Sequence, residues 1–293
     1  MRSTAADRAA TPGCETRGQE SPGRETRGRE APGQESPGQE ARGRGKQGPD
    51  AQPPVFLAPA GDLAGNVIVL SGPEGRHGAT VRRLGPGERA DVTDGAGNLA
   101  ECVVTQARGG VLHLAVRSRR VEPPADPAVV VVQALPKGDR GPLAVELMTE
   151  AGVDVIVPWA AQRCVTQWHG ERGERALARW RATAREAAKQ ARRARFPEIA
   201  GLASTQDVIR AVGPAALAVL LDPGAASALS TVPLPSSGDL VVIVGPEGGL
   251  SPAETAALAG AGAVAAHLGP TVLRTSTAGL VAASVMLSRA GRW

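Results

Sequence analysis

Short hydrophobic runs separated by turn residues characterise the chain between Pro54 and about residue 122. The β-prone runs lie at residues 66–70, 89–93, 99–105 and 111–116. The segment Asp-Gly-Ala-Gly-Asn at residues 94–98 favours a hairpin turn, because Asp, Gly and Asn tolerate positive φ angles at low cost. This pattern predicts a small β-barrel over residues 53–124.

The pattern changes to alternating strands and helices after a proline-rich linker at residues 123–127. Continuous apolar runs predict strands at residues 129–134, 153–158, 216–221 and 240–244. Helical periodicity follows at residues 142–151, 176–195, 252–261 and 277–290. Strands that are apolar on both faces and alternate with helices predict an α/β fold with a mainly parallel sheet over residues 125–293. The ligand of such a fold binds at the carboxyl ends of the strands.

The first part of the chain has a different composition. Glu recurs at every fifth position from Glu15 to Glu40, and Gly recurs at every fifth position from Gly18 to Gly43. A segment with so few apolar side chains cannot offset the entropy of ordering. We therefore expect residues 1–52 to form a disordered low-complexity tail.

Composition narrows the classes of function. The hydrophobic share is 42% and the formal net charge is +4, with Arg concentrated between Arg172 and Arg195, which suits a polyanionic partner. Cys14, Cys102 and Cys164 are too scattered for a disulfide framework or a zinc site, so we expect no metal. The apolar runs are too short to span a membrane and no secretory signal is recognisable. The expected location is the cytoplasm, without a membrane segment.

Two glycine-rich loops carry candidate site residues, and the first of them follows the predicted strand at residues 240–244. Gly-Pro-Glu-Gly-Gly at residues 245–249 precedes Ser251, a good helix N-cap. It lacks the Lys-Ser/Thr of a phosphate loop and the spacing of a dinucleotide fingerprint. The second loop, residues 267–278, ends at the C-terminal helix. Its hydroxyls suit helix capping, but capping does not explain Arg274.

Two further segments are basic. Residues 135–140 place Lys137 and Arg140 at the expected ligand-facing edge of the sheet. The predicted helix over residues 176–195 has an apolar stripe and, beside it, a face whose charged side chains are mostly positive. Such a face is either simply solvated or binds phosphates.

Four ordered motifs carry a resemblance to a known family. They are L-P-K-G-D-R (135–140), A-K-Q-A-R-R-A-R-F-P-E-I (188–199), V-G-P-E-G-G-L-S (244–251) and L-G-P-T-V-L-R-T-S-T-A (268–278). The chain from about Pro54 to Trp293 resembles the ribosomal RNA small subunit methyltransferase E family, a branch of the trefoil-knotted SPOUT methyltransferases. The resemblance implies a PUA-like β-barrel, a knotted α/β domain and a homodimer with the active site at its interface. The implied reaction is methylation of N3 of one uridine in 16S rRNA.

The resemblance also assigns residues. The expected S-adenosylmethionine contacts are Leu221, Gly245, Glu247, Gly248, Leu268, Gly269, Leu273 and Thr275. Arg274 is the candidate catalytic residue, since a cation there would stabilise the charge left when uridine N3 loses its proton. The expected RNA contacts are His77, Arg82, Arg83, Lys137, Arg140 and Arg193.

The chain departs from the family at four positions. Many relatives have Glu at the position of Ser276 and Arg at that of Thr271, so we name no general base. Lys189 and Arg192 replace the family's common Glu and Gly and make that surface more basic. Two alternatives stay open: a non-catalytic RNA-binding ribosome assembly factor, and a related knotted enzyme that methylates another RNA or a ribose 2'-hydroxyl.

Overall fold

The computed structural model describes residues 52–293. The predicted disordered tail, residues 1–52, lies outside the described residues except for Gln52. The described part contains two β-sheets, and each sheet has its own hydrophobic core.

The first sheet is built from five strands, and four of them coincide with the predicted β-prone runs. The five are β1 (Val55–Leu57), β2 (Val67–Leu70), β3 (Arg89–Thr93), β4 (Asn98–Arg108) and β5 (Val111–Val121). Their order is β1-β3-β4-β5-β2, with β1 parallel to β3 and the other pairs antiparallel. In β2, Val67 is 57% exposed whereas the adjacent Ile68 is 1% exposed. This alternation is what a sheet with one solvated face requires. A short helix, α1 (Gly72–Arg76), follows β2.

The second sheet has six strands and is entirely parallel. They are β6 (Ala128–Ala134), β7 (Val155–Trp159), β8 (Glu198–Ile199), β9 (Leu217–Leu221), β10 (Asp239–Val244) and β11 (Val264–Ala266). The order is β11-β9-β10-β6-β7-β8. The predicted parallel α/β sheet is thereby confirmed. The direction in which successive strands are added to the sheet reverses between β6 and β10, and parallel α/β folds bind ligands near such a point, at the carboxyl ends of the strands.

Five helices accompany this sheet. They are α2 (Arg140–Ala151), α3 (Gly170–Gln190), α4 (Thr205–Val212), α5 (Pro252–Gly260) and α6 (Thr275–Arg289). The predicted bounds of α3, residues 176–195, were wrong at both ends. The helix ends at Gln190, and Arg192 then adopts a φ of 56°, which is incompatible with a continuing right-handed helix. Among the described residues, no helix has the length and hydropathy needed to cross a membrane.

The end of α3 and the segment after it contact the first sheet. Thr93 Oγ1 donates a hydrogen bond to the Ala194 carbonyl at 2.7 Å, and the Phe196 N–H donates to the Gly95 carbonyl at 2.8 Å. Lys189 Nζ lies 2.7 Å from Glu74 Oε1. These contacts fix the first sheet against the basic end of α3.

Candidate active site

A cavity of about 490 Å³ opens at the carboxyl ends of β9, β10 and β11 and at the N-terminus of α6. The three strands are neighbours in the sheet, so the loops that follow them converge on one place. The walls are mostly apolar side chains and loop backbone, and two carboxylates, Asp222 and Glu247, are also present. The volume is within the range of about 300–1,000 Å³ found for small-molecule sites.

Most of the residues assigned to the cofactor by sequence line this cavity. They are Leu221, Gly245, Glu247, Leu268, Gly269, Leu273 and Thr275, and the candidate catalytic Arg274 is also on the wall. Gly248 is not among the lining residues. Its carbonyl instead accepts a hydrogen bond from Arg163 Nη1 at 3.3 Å, outside the cavity wall.

Several lining residues were missed by the sequence reasoning. They are Leu220, Pro223, Val244, Leu250, Thr255, Ala266 and His267. Most of them are next to, or close to, an assigned residue in the sequence. The positions of the assigned residues therefore pointed to the same short segments of the chain. Thr255 lies on α5, and its place on the cavity wall could not be predicted from the loop sequences.

The loop after β10 is anchored at both of its ends. Glu247 Oε1 accepts a hydrogen bond from the Lys137 N–H at 3.1 Å, which joins this loop to the loop that follows β6. Ser251 and Glu254 form a capping box at the start of α5. These contacts anchor the part of the cavity wall that this loop forms.

Glu254 is a buried carboxylate that holds three segments together. It accepts hydrogen bonds from the Gln162 N–H at 2.8 Å, from Thr205 Oγ1 at 3.1 Å and from the Ser251 N–H and hydroxyl. Burial opposes ionisation of this group, but the hydrogen bonds outweigh burial and lower the pKa of Glu254 below its ordinary value. Glu254 therefore stays ionised and acts as a structural anchor.

Arg274 is the N-cap residue of α6, and its side chain is exposed at the edge of the cavity. Its carbonyl accepts a hydrogen bond from the Thr277 hydroxyl at 3.2 Å, which fixes the backbone. Among residues 52–293, no carboxylate lies within ion-pair distance of its guanidinium. The positive charge is therefore available to a bound molecule, and the N-terminus of α6 adds positive potential.

The expected RNA contacts separate into two groups. Arg82, Arg83, Lys137 and Arg140 are exposed, whereas His77 is half-buried against the ring of Phe56, with ring centroids 6.2 Å apart. Thus His77 packs as well as facing solvent.

Arg193 has a different environment from the one expected. Its Nη1 donates to the carbonyls of Thr149 and Val153 at 3.0 and 2.7 Å, and its Nε donates to the Arg195 carbonyl at 2.9 Å. Only 14% of the side chain is exposed. Since its donors are engaged inside the protein, the proposed RNA surface excludes Arg193.

The described residues were compared with the side-chain groupings that hold metal ions. Within the described range, no group of three or more His, Cys, Asp or Glu side chains is arranged to hold a metal ion. Cys102 and Cys164 are buried. Burial raises the pKa of both thiols, so neither is a ready thiolate ligand.

Comparison with known proteins agrees with this geometry. Residues 123–287, more than half of the chain, match the model of an RNA methyltransferase domain, and residues 70–112 match an RNA methyltransferase PUA domain. The chain is 49% identical over 233 residues to ribosomal RNA small subunit methyltransferase E of Mycobacterium bovis, covering 78% of this chain and 89% of that protein. The protein of the same name from Bacillus subtilis is 29% identical and is covered to 88% of its length, against 74% of this chain.

Solved structures show the same fold. The enzyme of that name from Neisseria gonorrhoeae, solved with S-adenosylmethionine, matches with a TM-score of 0.71 at 26% identity, covering 81% of this chain and 98% of that chain. A chain from Legionella pneumophila, solved with the same cofactor, matches with a TM-score of 0.73 at 25% identity, covering 82% and 98%. With the family model, the identity and the coverage all in agreement, the chain belongs to the ribosomal RNA small subunit methyltransferase E family.

Proposed function

We propose that this chain transfers a methyl group from S-adenosylmethionine to N3 of one uridine of 16S rRNA, in the cytoplasm and as a homodimer. The observation that carries the proposal is the cavity at the ends of β9, β10 and β11, which collects seven of the eight residues assigned to the cofactor together with Arg274. Loops without these residues at the ends of the strands would have favoured the non-catalytic assembly factor instead.

The cavity suits S-adenosylmethionine in size and in chemistry. Apolar walls that include Leu221, Leu268 and Leu273 suit the adenine ring, and the carboxylates of Asp222 and Glu247 suit the ammonium and sulfonium charges. When bound, the cofactor supplies an electrophilic methyl group on sulfur. The residues of the chain then hold the uridine nitrogen in line with that methyl group and exclude water.

Arg274 acts on the RNA substrate. Loss of the N3 proton to solvent, before the nitrogen attacks the methyl group, spreads negative charge over the neighbouring uridine carbonyl oxygens. The Arg274 guanidinium at the cavity edge stabilises this charge. Ser276 does not serve as the base, because a neutral hydroxyl is a very weak proton acceptor and this side chain is 1% exposed and not part of the cavity wall. The uridine has to leave its stack to reach the cavity, as in other enzymes that act on bases.

The exposed cations place the rest of the RNA. Arg82 and Arg83 lie between α1 and β3. Lys137 lies in the loop that Glu247 joins to the cavity, and Arg140 is the first residue of α2. Side chains of this kind bind phosphates without reading the sequence. His77 contributes at the edge of the same cluster.

The homodimer and the trefoil knot remain part of the proposal, because the resemblance to the SPOUT methyltransferases implies both. Support for a second copy comes from apolar side chains near the cavity: Val272 is 79% exposed, Leu143 of α2 is 41% exposed, and Leu280 and Val281 of α6 are half-buried. A second copy that covers these side chains would put the active site at the interface.

The test is a pair of measurements on Arg274→Ala. Methyl transfer to unmodified small ribosomal subunits should fall about 100- to 1,000-fold, while the dissociation constant for S-adenosylmethionine stays within about twofold, because Arg274 acts on the charge that develops in the RNA. Arg210→Ala, an exposed cation on α4, is the control and should match the wild type. Equal losses of binding and transfer would place Arg274 in the cofactor site and contradict its proposed role.

A further inference from the structure

A second, larger cavity of about 720 Å³ lies beside the cofactor cavity. Its walls are the loop at residues 135–139, the segment at residues 165–169 and the first half of α3. The hydrogen bond from the Lys137 N–H to Glu247 Oε1 joins the edges of the two cavities. We call this second space the tryptophan cavity, because Trp168 and Trp180 form part of its wall.

The walls of the tryptophan cavity are held by specific contacts. Thr166 Oγ1 donates to the Pro136 carbonyl at 2.7 Å, which ties the segment to the loop. A Cβ on Gly173 would lie 3.0 Å from the carbonyl carbon of Trp168, and a Cβ on Gly141 would lie 2.7 Å from Trp180 Nε1. Glycine at both positions therefore lets α3 and α2 approach the two tryptophans closely.

The two indoles form a rigid aromatic corner. Their ring centroids are 5.1 Å apart and their planes are inclined by 83°, an edge-to-face arrangement that is itself favourable. Trp180 is 3% exposed, whereas Trp168 is half-buried and keeps part of its ring accessible from the cavity. Trp168 is therefore the ring on which a bound base can stack.

The charge around this corner is positive. Lys137, Arg172 and Arg179 line the cavity, together with His169, and Asp139 is the acidic residue on the wall. The Arg179–Asp139 pair has an N···O distance of 3.4 Å with side chains 63% and 91% exposed, so water screens it and Arg179 remains available. Cations around an accessible aromatic ring are the arrangement that binds single-stranded nucleic acid, with the ring taking the base and the cations taking the phosphates.

We propose that the tryptophan cavity binds a nucleotide adjacent to the target uridine, with its base on Trp168 and its phosphate among Lys137, Arg172 and Arg179. This inference rests on the proposed function, because it makes the cavity a subsite for the same RNA. Holding the neighbouring nucleotide keeps the target uridine unstacked and pointing toward the cofactor cavity.

The first experiment compares Trp168→Ala with Trp168→Phe in the full chain. The assays are binding of a ten-uridine RNA oligonucleotide and methyl transfer to unmodified small ribosomal subunits. Trp168→Ala should weaken oligonucleotide binding and raise the KM for subunits about 5- to 150-fold, the range for loss of one stacked base. The kcat and the affinity for S-adenosylmethionine should stay unchanged, and Trp168→Phe should restore most of the loss. Trp293→Ala, a tryptophan that is 65% exposed at the C-terminus, is the matched control and should behave as wild type.

The second experiment needs no variant, so it still applies if Trp168→Ala fails to fold. The wild-type protein is irradiated with the same oligonucleotide containing 5-iodouridine, and the crosslinked peptide is identified by mass spectrometry. The expected crosslink is at Trp168. Crosslinks confined to other segments, or a Trp168→Ala variant with wild-type binding and KM, would overturn the inference and leave the proposed function standing. A wild-type protein that crosslinks at Trp168 but methylates no RNA would overturn the proposed function and keep the cavity as an RNA site.

Discussion

The ion pair between Lys189 and Glu74 joins α3, which accompanies the parallel sheet, to α1, which follows β2 of the first sheet. Lys189 lies one residue before the end of α3, its side chain is 8% exposed, and its Nζ lies 2.7 Å from Glu74 Oε1 and 3.2 Å from Glu186 Oε2. The other oxygen of Glu74 accepts a hydrogen bond from the Leu57 N–H at 3.3 Å. The perturbation with the largest expected effect on this contact is Lys189→Ala.

The magnitude follows from what remains after the substitution. Lys189→Ala leaves the Glu74 carboxylate without its cation, and this side chain is only 22% exposed. Removing one member of a fully buried pair costs about 3–5 kcal/mol. Because water reaches Glu74, we expect a smaller loss of about 2 kcal/mol, or a fall in Tm of about 4–8 °C for a protein of this size. Glu74→Gln should cost less, since Lys189 keeps Glu186 as a partner.

A double-mutant cycle measures this pair. Urea unfolding of the wild type, Lys189→Ala, Glu74→Gln and the double variant should give a coupling free energy of about 1–2 kcal/mol. Arg175→Ala removes an exposed pair on the same helix, with side chains 75% and 86% exposed, and should cost less than about 0.5 kcal/mol. Additive losses for Lys189 and Glu74, or equal losses for Lys189 and Arg175, would refute the reasoning.

Three further substitutions test other contacts. Burial, and then the charge of Glu101 opposite it on β4, raise the pKa of Asp91 to about 6. The folded state therefore loses stability as the pH rises from about 4 to about 6. Asp91→Asn should flatten the dependence of Tm on pH in this range and be more stable than the wild type by about 1–3 kcal/mol above pH 6. A steeper dependence of Tm on pH in the variant would contradict this. Ser251→Ala removes the N-cap of α5 and should cost about 1 kcal/mol in urea unfolding, and no loss would rule out the capping box. Arg292→Ala removes an ion pair with an N···O distance of 2.6 Å to Asp154 and should lower the free energy of unfolding by about 2 kcal/mol. Amide hydrogen exchange near Asp154 should become faster. Unchanged exchange there would show that the ion pair does not stabilise this part of the protein.

The long elements could be predicted because their sequence pattern is local. Strands β6 and β10 are continuous apolar runs, and a strand buried on both faces requires such a run. Strands β8 and β11 have two and three residues, and their pairing with β7 and β9 comes from the sheet rather than from their own sequence. Strand β1 is equally short and was missed for the same reason.

The cofactor cavity could be predicted in part. Its glycine-rich loops lie directly after strands, and parallel strands place such loops at one edge of the sheet. The tryptophan cavity could not be predicted, because it depends on contacts between residues distant in sequence, such as Thr166 with Pro136 and Gly141 with Trp180. The role of Arg193 was misjudged because a helix-like pattern does not reveal that the helix ends at Gln190 and that the next turn points inward.

The central claim is methylation of uridine N3 in 16S rRNA, and the most direct test is methyl transfer from labelled S-adenosylmethionine to small ribosomal subunits that lack the native modification. The product RNA is digested to nucleosides and the modified position is mapped. The account predicts 3-methyluridine at a single site in 16S rRNA. Cofactor binding without any methylated nucleoside, or a methyl group on a ribose or on another base, would contradict it.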